Sequence, residues 1–182
     1  MKTIFAALFL AAAVAAPFAR AAPRGVEAGI YVLNLGKLDV ASGAYTVDFY
    51  LSLKSADPIP DNSFEFLNGR AASVDKVDDK NGGREKFYRI FANLSTPIDL
   101  RKFPFDTQKM QIVIEDKTES AEKVVYRANP KESGMDAGIV FPGWNIAGWR
   151  VATAEHDYPV YGENTRNWCS TCTSAALPST RS

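Results

Sequence analysis

The sequence has almost no charge imbalance, almost no cysteine and a single histidine. Its 21 lysines and arginines are matched by 21 aspartates and glutamates. No basic surplus exists to neutralise phosphates, so nucleic-acid binding has no electrostatic basis. The two cysteines, Cys169 and Cys172, form one C-x-x-C near the C-terminus. A lone pair cannot complete a four-ligand zinc site, and no βαβ pattern surrounds it to make a redox motif. In an oxidising compartment the two can pair with each other or between chains; otherwise they are incidental cysteines of a tail. His156 stands beside Asp157, but no nucleophile motif accompanies them, and it reads as a surface histidine. Glu115, Asp116, Glu119 and Glu122 read as solvated loop charge. With no paired acid and base and no metal cluster visible, no enzyme, cofactor or metal is expected. Amphipathic helical periodicity and internal repeats are missing too.

One long apolar run exists, at the N-terminus. Lys2 precedes the Ala-, Leu- and Phe-rich stretch from Ile4 to Phe18, and Ala19-Arg20-Ala21 places small residues two apart. This is the pattern of a secretory signal peptide cleaved after Ala21. The alternative, a retained anchor, asks for a longer run, since a span takes roughly 20 apolar residues. Lys2 and Arg20 leave with the leader and no carboxylate does, so the mature chain is mildly acidic. No second stretch is long and apolar enough to cross a bilayer.

What the chain does contain is period-two alternation. Tyr45, Val47, Phe49, Leu51 and Leu53 are apolar, with Thr46, Asp48, Tyr50, Ser52 and Lys54 between them. That predicts a half-buried strand with one face on a core. Gly29 to Leu38 is a second β-rich run, joined to the first by a turn at Asp39 to Ala44, where Ser42-Gly43 supplies the turn chemistry. Further strands are expected at Val74 to Lys76, Lys86 to Leu94, Gln108 to Glu115, Lys123 to Arg127 and Gly143 to Ala154. A turn is expected at Asn81-Gly82-Gly83, a two-proline loop from Pro97 to Asp106, and irregular chain from Asn129 to Gly138. Many short strands separated by turns argue an all-β immunoglobulin-like sandwich. Residues 22–164 read as that domain. Residues 165–182, rich in Ser, Thr, Ala and Cys without alternation, read as a disordered or aberrant tail, which would leave the last strand incomplete.

The most specific stretch is Phe103-Pro104-Phe105-Asp106-Thr107-Gln108. It resembles the Phe-Pro-Phe-Asp-x-Gln core of the Cys-loop receptor superfamily. Thr96 and Met110 stand where animal members have their bridging cysteines, as in the bacterial branch. Gly29-Ile30-Tyr31-Val32-Leu33-Asn34 through Phe49-Tyr50-Leu51-Ser52-Leu53, then Asn93 to Arg101, then Gly143-Trp144-Asn145-Ile146, are similar to family segments in the family's order. From about Val26 to Asn164 the chain resembles the extracellular ligand-binding domain of a bacterial pentameric ligand-gated ion channel, cut off before its membrane helices. The resemblance implies a ten-strand sandwich, a homopentameric ring, ligands bound between neighbouring subunits, a periplasmic or extracellular location and a cis bond before Pro104. It also implies that Asp39 and Val40 of the first hairpin turn, with Phe103, Pro104, Phe105 and Asp106, couple the domain to the pore. Phe103 and Phe105 can bury two rings while Pro104 fixes the path. Asp106 lies close to Arg101 and Lys102 for an ion pair that would stiffen the turn.

Position by position, the resemblance places Tyr50, Phe87 and Arg89 on the complementary binding face. Phe66 and Asn68 fall in the first principal loop, Asp116 and Lys117 (with Thr118) in the second, and Tyr158, Tyr161 and Glu163 in the capping loop. Lys117 stands where cation-binding members carry a Trp, so no full aromatic cage is expected. A small polar or zwitterionic ligand, or protons, suits this set. Two other readings stay open: an exported ring-forming binding protein without a channel, and a structural or adhesive sandwich without a ligand.

Overall fold

The computed structural model describes residues 22–101, 107–157 and 169–181. Two sheets stack face to face. In the first, β1 (Arg24–Leu35), β2 (Ala44–Ser55), β4 (Gly69–Lys80), β5 (Glu85–Ser95) and β7 (Val124–Ala128) run in the order β4-β5-β2-β1-β7. The two-residue β8 (Gly134–Met135) also pairs with β1. The second holds β10 (Arg150–Asp157), β11 (Cys169–Arg181), β6 (Thr107–Asp116) and β3 (Phe64–Phe66) in that order, and β9 (Trp144–Ile146) pairs with β11. Neighbours are antiparallel except β7 and β8, which run parallel to β1. The expected all-β sandwich is the observed fold.

Alternation explains the core. The odd-numbered residues Val47, Phe49, Leu51 and Leu53 of β2 point inward beside Ile30 and Val32 of β1 and Tyr88 and Ile90 of β5. They meet Met110, Ile112 and Ile114 of β6, and all are buried. Aromatic rings join the layers: Phe49 of β2 packs edge-on to Phe66 of β3 at 5.9 Å, and Phe64 of β3 to Tyr88 of β5 at 5.2 Å.

Polar stitches fix how the layers sit. The Tyr45 hydroxyl donates to the Gln111 carbonyl. The Asn68 amide nitrogen donates to the same carbonyl at 2.5 Å and to that of Ser95 at 3.0 Å, while its oxygen accepts from Val113 N.

The chain departs from the sequence reading in three places. The segment expected as a short strand at Val74 to Lys76 is the twelve-residue β4. As an edge strand it is polar on both faces, and register shifts at Ala71/Ser73 and Lys76/Asp78 break its alternation. Gly143 to Ala154, read as one strand, is two, β9 and β10. Most importantly, Cys169–Arg181, read as tail, is the thirteen-residue β11 between β10 and β6. A strand therefore stands where a tail was expected. Backbone pairing on both sides holds such a strand without the apolar alternation that announces strands in sequence. Its interior proline, Pro178, paired in register with Lys109, speaks against a central strand by composition.

Candidate functional site

The outer face of the first sheet carries a cleft of about 580 Å³. Its floor follows from alternation: Tyr50, Ser52 and Lys54 are among the residues of β2 that do not face the core, and Tyr50↔Arg89 and Ser52↔Phe87 are register neighbours on β5. Tyr50 stacks on Phe87 with ring centroids 5.0 Å apart and planes 23° apart. Arg89 is held by Asp48, with Nη2 at 2.8 Å from Oδ2 and Nε at 3.3 Å from Oδ1. Tyr50, Phe87 and Arg89, assigned to one binding face, thus lie side by side on one sheet surface, with Tyr50 and Phe87 lining the cleft.

The cleft also contains residues that sequence reasoning missed. A single 3-10 turn, Pro130–Glu132, lies over β1 and brings Glu132 to β2. Ser52 Oγ donates to Glu132 Oε2 at 2.7 Å, and Lys54 Nζ pairs with Oε1. Gly29 makes this approach possible: a Cβ there would stand 2.5 Å from Ser52 Oγ and 2.7 Å from the Glu132 carbonyl oxygen. Burial pushes the Glu132 carboxyl up, but hydrogen bonds from Lys54 and Ser52 outweigh it and hold the group below the ordinary range. The same contact raises Lys54. The available signal was the outward phase of Ser52 and Lys54 on β2. Nothing in the irregular stretch around Pro130 marked Glu132.

The other assigned residues lie elsewhere. Phe66 is buried against Phe49. Asn68 is fully engaged in the inter-sheet stitches described above. Asp116, at the end of β6, is buried, and its Oδ1 accepts from the backbone N–H groups of Thr118 at 3.0 Å and Glu119 at 2.8 Å. Lys117 is exposed and lines a separate hollow with Glu65 and Arg70. In that hollow burial, then the charge of Glu115, pushes the Glu65 carboxyl up. Tyr158, Tyr161 and Glu163 lie outside the described residues, as do Phe103, Pro104, Phe105 and Asp106. The described residues of the two assigned groups are therefore not brought together within the chain: one group is on the outer face of the first sheet, the other around β3 and the end of β6.

The approach to the proline loop is described. Gln108, at the start of β6, is buried; its Oε1 accepts from Asp99 N at 3.1 Å and its Nε2 donates to Asp99 O at 2.7 Å. Thr96 Oγ1 donates to Lys109 O at 2.6 Å. Arg101 pairs with Asp99, with Nη2 at 2.5 Å from Oδ2, on one short turn; the ion pair expected for Asp106 lies outside the described residues. The first hairpin turn docks here. Asp39 accepts from Ala41 N at 2.9 Å and Ser42 Oγ at 2.6 Å. The Ser42 contact is the largest cause of a carboxyl held below its ordinary range. Gly43 adopts φ +72°, and a Cβ there would collide with the Thr96 carbonyl. Thr96 N in turn donates to Gly43 O at 3.0 Å. Val40 packs on the core edge, as does Ile98. The turn and the entry to the proline loop form one packed unit at one end of the sandwich.

Against this geometry, comparison with known proteins adds a likeness. The chain is similar to a proton-gated ion channel of Gloeobacter violaceus (strain ATCC 29082 / PCC 7421). The two are 24% identical over 148 residues, covering 68% of this chain and 41% of the channel. The chain thus spans about two fifths of the length of that relative. No protein-family model matches it. Among the described residues no helix is long and apolar enough to cross a membrane.

Proposed function

We propose that this chain is the ligand-binding domain of a pentameric ligand-gated ion channel, facing the periplasm or cell exterior behind a cleaved leader. The observation that supports the reading is that the assigned residues do not share one pocket. Tyr50, Phe87 and Arg89 lie on the outer face of the first sheet, and Lys117 lines a separate hollow; Tyr158, Tyr161 and Glu163 are assigned to the side of Lys117 by resemblance alone. Such a division suits a site completed only between neighbouring protomers of a ring, where each copy supplies half. The packed unit of the Asp39–Ala44 turn and the proline-loop entry would pass movement to the pore through Asp39, Val40 and Phe103 to Asp106. Because the relative is proton-gated, protons are the first stimulus to test, with small polar ligands second.

The test is a chimera that joins this domain, after Arg181, to the pore-forming part of the Gloeobacter channel. Acid-evoked current, reduced at least about tenfold by Tyr50→Ala with surface expression unchanged, is expected. A chimera that reaches the surface as a pentamer and passes no current over the acid range or with small polar ligands would refute gating by this domain.

A further inference from the structure

The sequence holds two Asn-Gly pairs, Asn68-Gly69 and Asn81-Gly82. An asparagine followed by glycine is open to a spontaneous reaction in which the glycine amide nitrogen attacks the asparagine side-chain carbonyl carbon. Glycine favours it because no Cβ crowds the closing ring. The dipeptide is the same at both places, so the fold decides between them.

Asn68 is held at both polar atoms of its side chain. Its Nδ2 donates to the carbonyls of Ser95 at 3.0 Å and Gln111 at 2.5 Å, and its Oδ1 accepts from Val113 N at 3.2 Å. Its backbone carbonyl accepts from Ser95 N at 2.8 Å. Gly69 lies close against β5, where a Cβ would stand 2.2 Å from the Asn93 carbonyl oxygen. Ring closure here would first have to break contacts between the two sheets, a local unfolding step.

Asn81 is exposed at the tip of the β4–β5 hairpin. Among the described residues its side chain makes one hydrogen bond, Nδ2 donating to Glu85 Oε1 at 2.8 Å. Gly82 N has no acceptor among the described residues. The space around the turn is open: a Cβ on Gly82 would meet nothing nearer than the Arg84 guanidinium at 3.9 Å. Asn81, Gly82 and Gly83 take φ of 53°, 68° and 83°, so the tip is built from residues that carry no packed side chain. The tip also holds its surroundings. Gly83 O accepts from Ile59 N at 2.8 Å and Arg84 O from Ser55 N at 2.9 Å, which ties the β2–β3 connection to the hairpin.

We infer that Asn81 is a site of spontaneous covalent modification in the folded chain, from which Asn68 is protected. Gly82 N gives up its proton and bonds to Asn81 Cγ, the Cγ–Nδ2 bond breaks, and Nδ2 leaves as ammonia with that proton. Water then opens the ring at either carbonyl, giving aspartate or isoaspartate, so one water is consumed for each ammonia released. The new carboxylate faces Glu85 in place of the amide that donated to it. A hydrogen bond becomes a repulsion between like charges, and the tip loosens its hold on the β2–β3 connection.

The experiment is peptide mapping by mass spectrometry of the full chain kept in mildly alkaline buffer, with a parallel sample in urea. In the folded chain, aspartate and isoaspartate at position 81 should accumulate at least about tenfold faster than at position 68, a barrier difference of about 1.4 kcal/mol. In urea the two rates should converge. Asn81→Asp, which carries the product charge on an unaltered backbone, should speed amide exchange at Ile59 severalfold. Three results would overturn the inference: equal rates at the two positions in the folded chain, no conversion at position 81 in the folded chain while the urea sample converts, or a difference that persists undiminished in urea. Unchanged exchange at Ile59 in Asn81→Asp would overturn the loosening.

Discussion

Strand β6 begins and ends on buried polar side chains, and the two are treated in opposite ways. Gln108, 2% exposed, has both halves of its amide closed on the backbone of Asp99. Asp116, 7% exposed, has one oxygen closed on backbone N–H groups and the other buried without a hydrogen-bond partner. The first arrangement locks a loop entry to the sheet. The second fixes the carboxylate by one oxygen and leaves the other enclosed without a hydrogen-bond partner. Similar burial thus goes with complete pairing at one end and incomplete pairing at the other.

Four measurements sharpen or break that contrast. The core sets the scale: Phe49→Ala should cost about 3–5 kcal/mol in urea unfolding, since Phe49 is fully buried and its ring meets Phe66 across the sheets. Gln108→Ala should cost less, about 1–3 kcal/mol, because it removes the partners of two backbone groups. It should also speed amide exchange at Asp99. An equal cost in the two variants would mean that Gln108 belongs to the core and is no separate clamp. Asp116→Asn should change stability by less than about 1 kcal/mol, since the engaged oxygen is kept. A loss as large as that of Gln108→Ala would show the bare oxygen to be structurally engaged after all.

The smallest effect is in the pH profile. Glu132 is depressed in the folded state, so it contributes stability that is present above its unfolded value near 4.5 and lost as pH falls through the folded value. Glu65, beside the Asp116 end of β6, is raised. Its contribution is present below its unfolded value and lost as pH rises through the folded one. Glu132→Gln should therefore flatten the acid loss of stability in chemical denaturation, and Glu65→Gln should steepen it. Parallel changes in the two variants would contradict the opposite signs.

The legible part of the fold was the part that alternates. Strand β2 was readable because Val47, Phe49, Leu51 and Leu53 face a core while Tyr50, Ser52 and Lys54 do not, and the same phase marked the Tyr50 cleft. The hairpin turn was readable from Ser42-Gly43. Strand β11 was not, because its hold on the sheet is backbone pairing to β6 and β10, which leaves no trace in composition. Glu132 was invisible for a related reason: a long-range approach permitted by the missing Cβ of Gly29 carries no local pattern. Gln108 was visible as a family-like residue, but its closure on Asp99 depends on the path of a loop.

The placement of β11 has a consequence for how the molecule comes into being. This strand follows every other described strand in chain order, yet it sits inside its sheet, between β10 and β6. Until it arrives, β6 has one side unpaired and β10 has no sheet to join, so the second layer is assembled in retrospect. Distant pairings of this kind are slow to close. A nascent or C-terminally clipped chain would therefore expose one finished layer and one gaping one, and it would be in that interval that chaperones and proteases find it.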